Sequence, residues 1–174
     1  SITKLTVKCL KMNYSTELKK NSAKMTYQEE IDFLVTSPER NRFICNLAMA
    51  QTDNVVIFFQ YIDKQGKILY DMLQNMVGDK KKVVYISGET SLDDREDIRD
   101  MISTRNDLII LGSIACIGTG FNAPNLHVGI FASPTKSKIR VLQTIGRLLR
   151  LSMGKFGCTF YDLVDDMVYK KRKN

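Results

Sequence analysis

Between Gln143 and Arg150 the chain reads Gln-Thr-Ile-Gly-Arg-Leu-Leu-Arg, and helical spacing sorts these residues onto two chemically different faces. Leu142, Ile145 and Leu149, flanked by Val141 and Leu148, make an apolar stripe. Gln143, Gly146, Arg147 and Arg150 fall at i, i+3, i+4 and i+7 and line up on the opposite side. Two arginines three residues apart repel each other, and a glycine inside a helix costs about 1 kcal/mol relative to alanine, so local stability accounts for neither. A bound anion accounts for both: a guanidinium is a planar donor fork suited to phosphate, and Gly146 lets another surface come close. The competing reading is a solvated basic face, which gives no reason for Gly146 or Gln143.

Two more segments have the residue types of a phosphate-facing loop. Gly112 to Pro124 is rich in small residues, and Gly118 and Gly120 open backbone conformations closed to other residues, so its amides and hydroxyls can hold phosphates or a ribose. Tyr85-Ile86-Ser87-Gly88-Glu89-Thr90 ends a strand and opens a helix that starts with Ser91 and Asp94 in a capping-box-like arrangement; amides at such a start suit a nucleic-acid phosphate. Taken singly, each could equally be a plain turn.

Absences narrow the chemistry. No G-x-x-x-x-G-K-[ST] phosphate loop occurs, so the chain cannot be a self-sufficient P-loop ATPase. Asp165-Asp166 looks superficially like a magnesium-binding pair, but without a phosphate loop to serve it the expectation is a strand-end turn. The single His127 has no Ser, Cys or Asp arrangement of a hydrolase around it and is expected to be structural. Cys9, Cys45, Cys116 and Cys158 form no C-x-x-C pair, so reduced thiols and no metal site are expected.

The elements that must position these loops alternate. Val55 to Phe59 is a short, wholly apolar, β-branched and aromatic run, the mark of a strand buried on both faces of a parallel sheet. A helix is predicted over roughly Lys64 to Val77, then a strand over Lys82 to Ile86, a helix over Leu92 to Ser103 and a strand over Asp107 to Leu111. After the glycine-rich loop come a strand over Val128 to Ala132, a helix over Ser137 to Leu151 and a strand over Cys158 to Val164. Ahead of them, Leu5, Val7 and Cys9 alternate as in a strand, Ser15 to Lys24 reads as a loop or linker, and helices follow from Thr26 on either side of a break at Ser37-Pro38. Open α/β sheets bind ligands at the carboxyl ends of their strands, which places the chemistry after Phe59, Ile86, Leu111 and Ala132.

With 174 residues, 44% of them hydrophobic, the chain has the material for one domain. Its net charge of +7 favours a polyanionic partner without naming one. The sequence has no apolar run of membrane-spanning length, and a cytoplasmic location is expected, the host cytoplasm if the protein is phage-encoded. The initial Ser and the basic run Lys170 to Lys173 suggest a piece of a longer polypeptide.

In that order and spacing the motifs resemble the C-terminal helicase domain of superfamily 2: Val55 to Gln60 resembles motif IV, Gly112 to Pro124 motif V, and Gln143 to Arg150 the Q-x-x-G-R-x-x-R form of motif VI. Ser133-Pro134-Thr135-Lys136-Ser137-Lys138-Ile139, running into Val141 to Arg147, is most similar to UvsW-type helicases of T-even-like bacteriophages, and the similarity extends from about Tyr27 to Asp165. The resemblance implies a RecA-like three-layer α/β fold with a mainly parallel sheet, a second motor domain without Walker A. It implies residues 1–25 as a strand and linker from a first motor domain, 26–169 as the motor domain and 170–174 as a basic tail.

By the same resemblance, Arg147 and Arg150 are the catalytic residues, reaching across an interdomain cleft to the γ-phosphate, with Arg150 the preferred arginine finger. Gln143, Gly120 and Asn122 join them in contacting ATP, Asn122 replacing the aspartate of many relatives. Ser87, Gly88, Ser113 and Thr119 fall where relatives touch the nucleic-acid backbone. ATP and Mg2+ would be bound mainly by the N-terminal RecA-like domain of the same polypeptide, and the substrates would be branched DNA or RNA–DNA hybrids. Rival readings are the motor of a restriction or remodelling translocase and a non-catalytic nucleic-acid-binding adaptor; a small-molecule Rossmann enzyme would need a G-x-G-x-x-G after the first strand.

Overall fold

The computed structural model describes residues 5–60, 62–117, 125–134, 143 and 157–167. Among them the strands are β1 (Leu5–Asn13), β2 (Val55–Phe59), β3 (Lys82–Ile86), β4 (Leu108–Ser113), β5 (Val128–Phe131) and β6 (Cys158–Asp166). They form one sheet in the order β1-β6-β5-β2-β4-β3 with every pairing parallel, so all their carboxyl ends lie along one edge. The helices are α1 (Thr16–Ser22), α2 (Tyr27–Thr36), α3 (Pro38–Met49), α4 (Lys67–Val77), α5 (Leu92–Thr104) and α6 (Ile114–Ile117).

The apolar run of β2 shows why the sheet is covered on both sides. Its pleat sends Val56 and Phe58 to one face, where they pack with Ile98 and Ile102 of α5. Val55, Ile57 and Phe59 go to the other, against Ile44 and Ala48 of α3 and Leu69 and Leu73 of α4. Three layers follow, as expected.

Local chemistry corrects several sequence boundaries. Ser15 to Lys24 is not a loop: the Ser15 hydroxyl accepts the Leu18 amide at 3.2 Å and opens α1, with Glu17 in its first turn and Lys19 and Lys20 in its last. Capping and the helix dipole supply what hydrophobic periodicity does not. The expected helix from Lys64 begins instead with a π-helical turn over Ile62–Gly66 before α4. Gly112 and Ser113 are strand rather than loop, paired in register with Ile86 of β3 and Phe59 of β2. Asp165 and Asp166 are no strand-end turn; they continue β6, paired with Met12 and Asn13 of β1. A boundary after residue 25 would therefore cut β1 away from the strand it pairs with along nine positions. The helix predicted over Ser137 to Leu151 lies outside the described residues except at Gln143, which is helical and exposed.

Candidate functional site

Tyr85 to Thr90 and the start of Gly112 to Pro124 meet where β3 and β4 end side by side. Register Ile86↔Gly112 sets Ser87 and Gly88 next to Ser113. In the β3–α5 loop the Ser87 amide donates to Thr90 Oγ1 at 2.9 Å, the Thr90 amide to the Ser87 carbonyl at 3.2 Å and the Glu89 amide to Ser87 Oγ at 3.2 Å, a tight turn. Gly88 is exposed at its tip, and the space where a Cβ would stand is empty. A backbone or a polyanion can approach there without obstruction.

Ser113 behaves differently. It is buried, and its Oγ accepts the Cys116 amide at 3.1 Å, which opens α6. This hydroxyl shapes the loop, and the exposed surface is left to Gly88, with Ser87 half-buried beside it. Gly112 has a steric duty: a Cβ would come within 2.5 Å of Ile117 Cδ1 and 2.7 Å of its Cγ1, so α6 can fold back onto β4 only where the side chain is hydrogen.

A residue that sequence reasoning missed ties the two loops together. Arg95 donates from Nη2 to the Ser87 carbonyl at 3.2 Å, from Nε to the Thr90 carbonyl at 3.3 Å and from Nη1 to the Cys116 carbonyl at 3.0 Å. One guanidinium thus clamps the β3–α5 loop to α6 and places a positive charge beneath both. Its signal was in the sequence: Arg95 lies on the same helical stripe as buried Ile98 and Ile102, an inward position at which a cation needs a partner.

The carboxyl ends of β5 and β6 carry a second polar cluster. Arg40 of α3 is 1% exposed and grips Asp165 in a bidentate pair, Nε to Oδ1 at 2.9 Å and Nη2 to Oδ2 at 3.0 Å, while Nη1 donates to the Ala132 carbonyl. The Tyr14 hydroxyl also donates to Asp165 Oδ1, at 2.5 Å; burial and that carboxylate push its pKa well above the ordinary tyrosine value. Asp166 pairs with Lys11 at 3.3 Å and Lys19 at 3.5 Å. These carboxylates are engaged by cations of the chain, so the pair does not fit a magnesium ion. Among the described residues no group of three His, Cys, Asp or Glu stands together.

His127, just before β5, lies at the opposite, amino-terminal edge, where its carbonyl accepts the Thr159 amide at 2.8 Å. None of the four cysteines is in a disulfide; Cys45 is buried, which raises its pKa to about 12, and Cys9 is exposed. Thr119, Gly120, Asn122, Arg147 and Arg150 lie outside the described residues. No helix among the described residues is long and apolar enough to cross a membrane.

A parallel sheet covered on both faces, with its polar loops at the carboxyl edge and no phosphate loop, has the open α/β form of a RecA-like second motor domain. Residues 39–152 match the helicase conserved C-terminal domain family, and the chain belongs to that family. It is 34% identical over 174 residues to the ATP-dependent DNA helicase UvsW of Enterobacteria phage T4, an alignment covering 98% of this chain and 34% of the relative. The crystal structure of T4 UvsW superposes with a TM-score of 0.84 at 32% identity, over 99% of this chain and 35% of that one. The SWI2/SNF2 ATPase core of Sulfolobus solfataricus, solved with double-stranded DNA, shares the fold at a TM-score of 0.64 and 15% identity, over 92% of this chain and 41% of that one. The chain thus spans about a third of the length of the phage helicase it matches.

Proposed function

We propose that the chain is the C-terminal motor half of an ATP-dependent superfamily 2 DNA helicase or translocase acting on branched DNA or RNA–DNA hybrids. The observation that carries the nucleic-acid part is the joined surface of Ser87, Gly88 and α6, held by Arg95 over a positive charge. Contacts of this kind, made by amides and hydroxyls, bind the backbone without reading sequence and weaken with salt. Similarity to UvsW, an ATP-dependent DNA helicase, supports the enzymatic part.

In this reading an N-terminal RecA-like domain of the same polypeptide, joined through residues 1–25, holds ATP and Mg2+. Gln143, Gly120, Asn122, Arg147 and Arg150 face that nucleotide from this side. Arg147 and Arg150 supply positive charge to the γ-phosphate as it is transferred, a contribution of a thousandfold or more in related NTPases, on the order of 10³ to 10⁵. Closing and opening of the two domains then moves the protein along a strand. Its place is the cytoplasm, that of the host if the protein is phage-encoded.

The test is DNA-stimulated ATP hydrolysis by the full-length protein, wild type against Arg150→Ala, with this chain alone as control. An active parent, an inert chain and a variant that binds ATP without turnover are expected. Undiminished turnover by Arg150→Ala, or hydrolysis by the chain alone, would overturn the assignment.

A further inference from the structure

The carboxyl end of β5 is anchored far more heavily than a two-residue exit from a strand requires. The Ala132 carbonyl accepts two side-chain donors, Arg40 Nη1 and Gln65 Nε2, the latter at 2.9 Å. The Ser133 hydroxyl donates to Gln65 Oε1 at 2.7 Å and accepts the Gln60 amide at 2.8 Å. Gln65 is 0% exposed and Ser133 1%, so each lost bond would strand a buried polar group. Apolar packing would hold the strand end without that cost, whereas directional bonds fix which way the chain leaves.

The π-helical turn is what delivers Gln65. A π-turn carries one residue more per turn than an α-helix, and such turns recur at functional sites. Here the turn brings Gln65 against β5 while Gly66 sits where a Cβ would stand 2.5 Å from Tyr85 Oη and 2.7 Å from the Phe59 ring. The side-chain amide is used completely, its nitrogen on Ala132 and its oxygen on Ser133. From Ser133 and Pro134 the chain runs on, nine residues past Pro134, to Gln143, the first polar residue of the motif VI face.

We infer that Gln65 is a positioning residue for ATP turnover: by fixing Ala132 and Ser133 it holds the point from which the chain runs on toward Gln143, without itself touching nucleotide or nucleic acid. The inference rests on the motor reading above. A displacement of about 1 Å at a reacting group lowers rates by up to about a hundredfold, and the effect falls on turnover rather than on binding.

The experiment measures DNA-stimulated ATP hydrolysis of the full-length protein carrying Gln65→Met, Ser133→Ala, or both, with Arg150→Ala and wild type alongside. Gln65→Met is expected to lower kcat at least tenfold, with half-saturating ATP and DNA concentrations within twofold of wild type. The two changes share the Gln65–Ser133 bond, so the losses in the double variant should be smaller than the product of the single losses. An unchanged kcat in a variant whose melting midpoint falls would overturn the inference and leave Gln65 a structural residue. Losses that multiply in the double variant would overturn the shared network. If Gln65→Met does not fold, Ser133→Ala carries the same reading, and an unaltered kcat there overturns it. Full turnover by Arg150→Ala instead sinks the motor assignment beneath it, a separate result.

Discussion

Replacing Arg40 by Met should destabilise the domain more than any surface change, because it orphans a buried carboxylate. The Arg40 side chain is 0% exposed and that of Asp165 7%. Methionine matches the aliphatic part of the arginine and leaves the Asp165 carboxylate facing the Tyr14 hydroxyl in a site closed to water. Removing one partner of such a pair costs about 3–5 kcal/mol, roughly a fifth or more of the stability of an ordinary domain. For a chain of this size each kcal/mol moves the midpoint by about 2–4 °C, so Tm should fall by roughly 6–20 °C. Urea denaturation of the purified chain should show a lower midpoint with an unchanged slope. Adding Asp165→Leu removes the stranded charge, and the double variant should recover at least about 2 kcal/mol relative to the sum of the single losses. Arg40→Lys keeps the charge without the fork and should fall between. A loss below about 1 kcal/mol for Arg40→Met, or strict additivity in the double variant, would refute the argument that this pair is one buried unit.

Arg95→Met in the full-length protein should weaken DNA binding about tenfold by loosening both loops, while the slope of affinity against salt stays as in wild type, because Arg95 bonds carbonyls rather than phosphates; coincident binding isotherms would refute this. Tyr14 makes the domain sensitive to alkali. Its folded pKa is raised, so its contribution is fully present below about pH 10, the unfolded value, and is lost as pH rises toward the folded one. Tyr14→Phe should cost about 1 kcal/mol at pH 8 yet flatten the decline in urea stability between pH 9 and 11, and an unaltered decline would count against it. Gly112→Ala should cost about 1–3 kcal/mol by driving a methyl into Ile117, and Ile117→Ala in the same chain should recover part of that in thermal melts, whereas independent losses would contradict the contact.

The sheet was legible because its residues obey one rule: β2 needs apolar side chains on both faces, and Val55 to Phe59 supplies them. That the segments after β3 and β4 lie at one edge was legible because the strands of such a sheet run parallel, although β4 runs on through Gly112 and Ser113, which the sequence reading placed in a loop. What escaped was polar and non-local. Arg40, Gln65 and Arg95 find their partners 5 to 125 residues away, and no spacing announces a bond to Asp165, Ala132 or Cys116. α1 escaped because a seven-residue helix with one buried position has almost no periodicity to read, only the Ser15 cap. Ser113 was placed in the right neighbourhood but with its hydroxyl turned inward, since burial at a strand end depends on the helical turn that follows.

The π-turn over Ile62–Gly66 stands between the two working corners of the domain. On one side Gly66 is pressed against Tyr85 of β3, whose end carries Ser87 and Gly88; on the other Gln65 is bonded to the end of β5. Neighbouring residues on such a turn, wider than the 3.6-residue α-helical one, point roughly 80° apart, so deleting one residue would swing both contacts away together. The turn therefore works as a gauge block: its length in residues sets the spacing between the end of β3, proposed to meet nucleic acid, and the end of β5, and neither end can be reset alone.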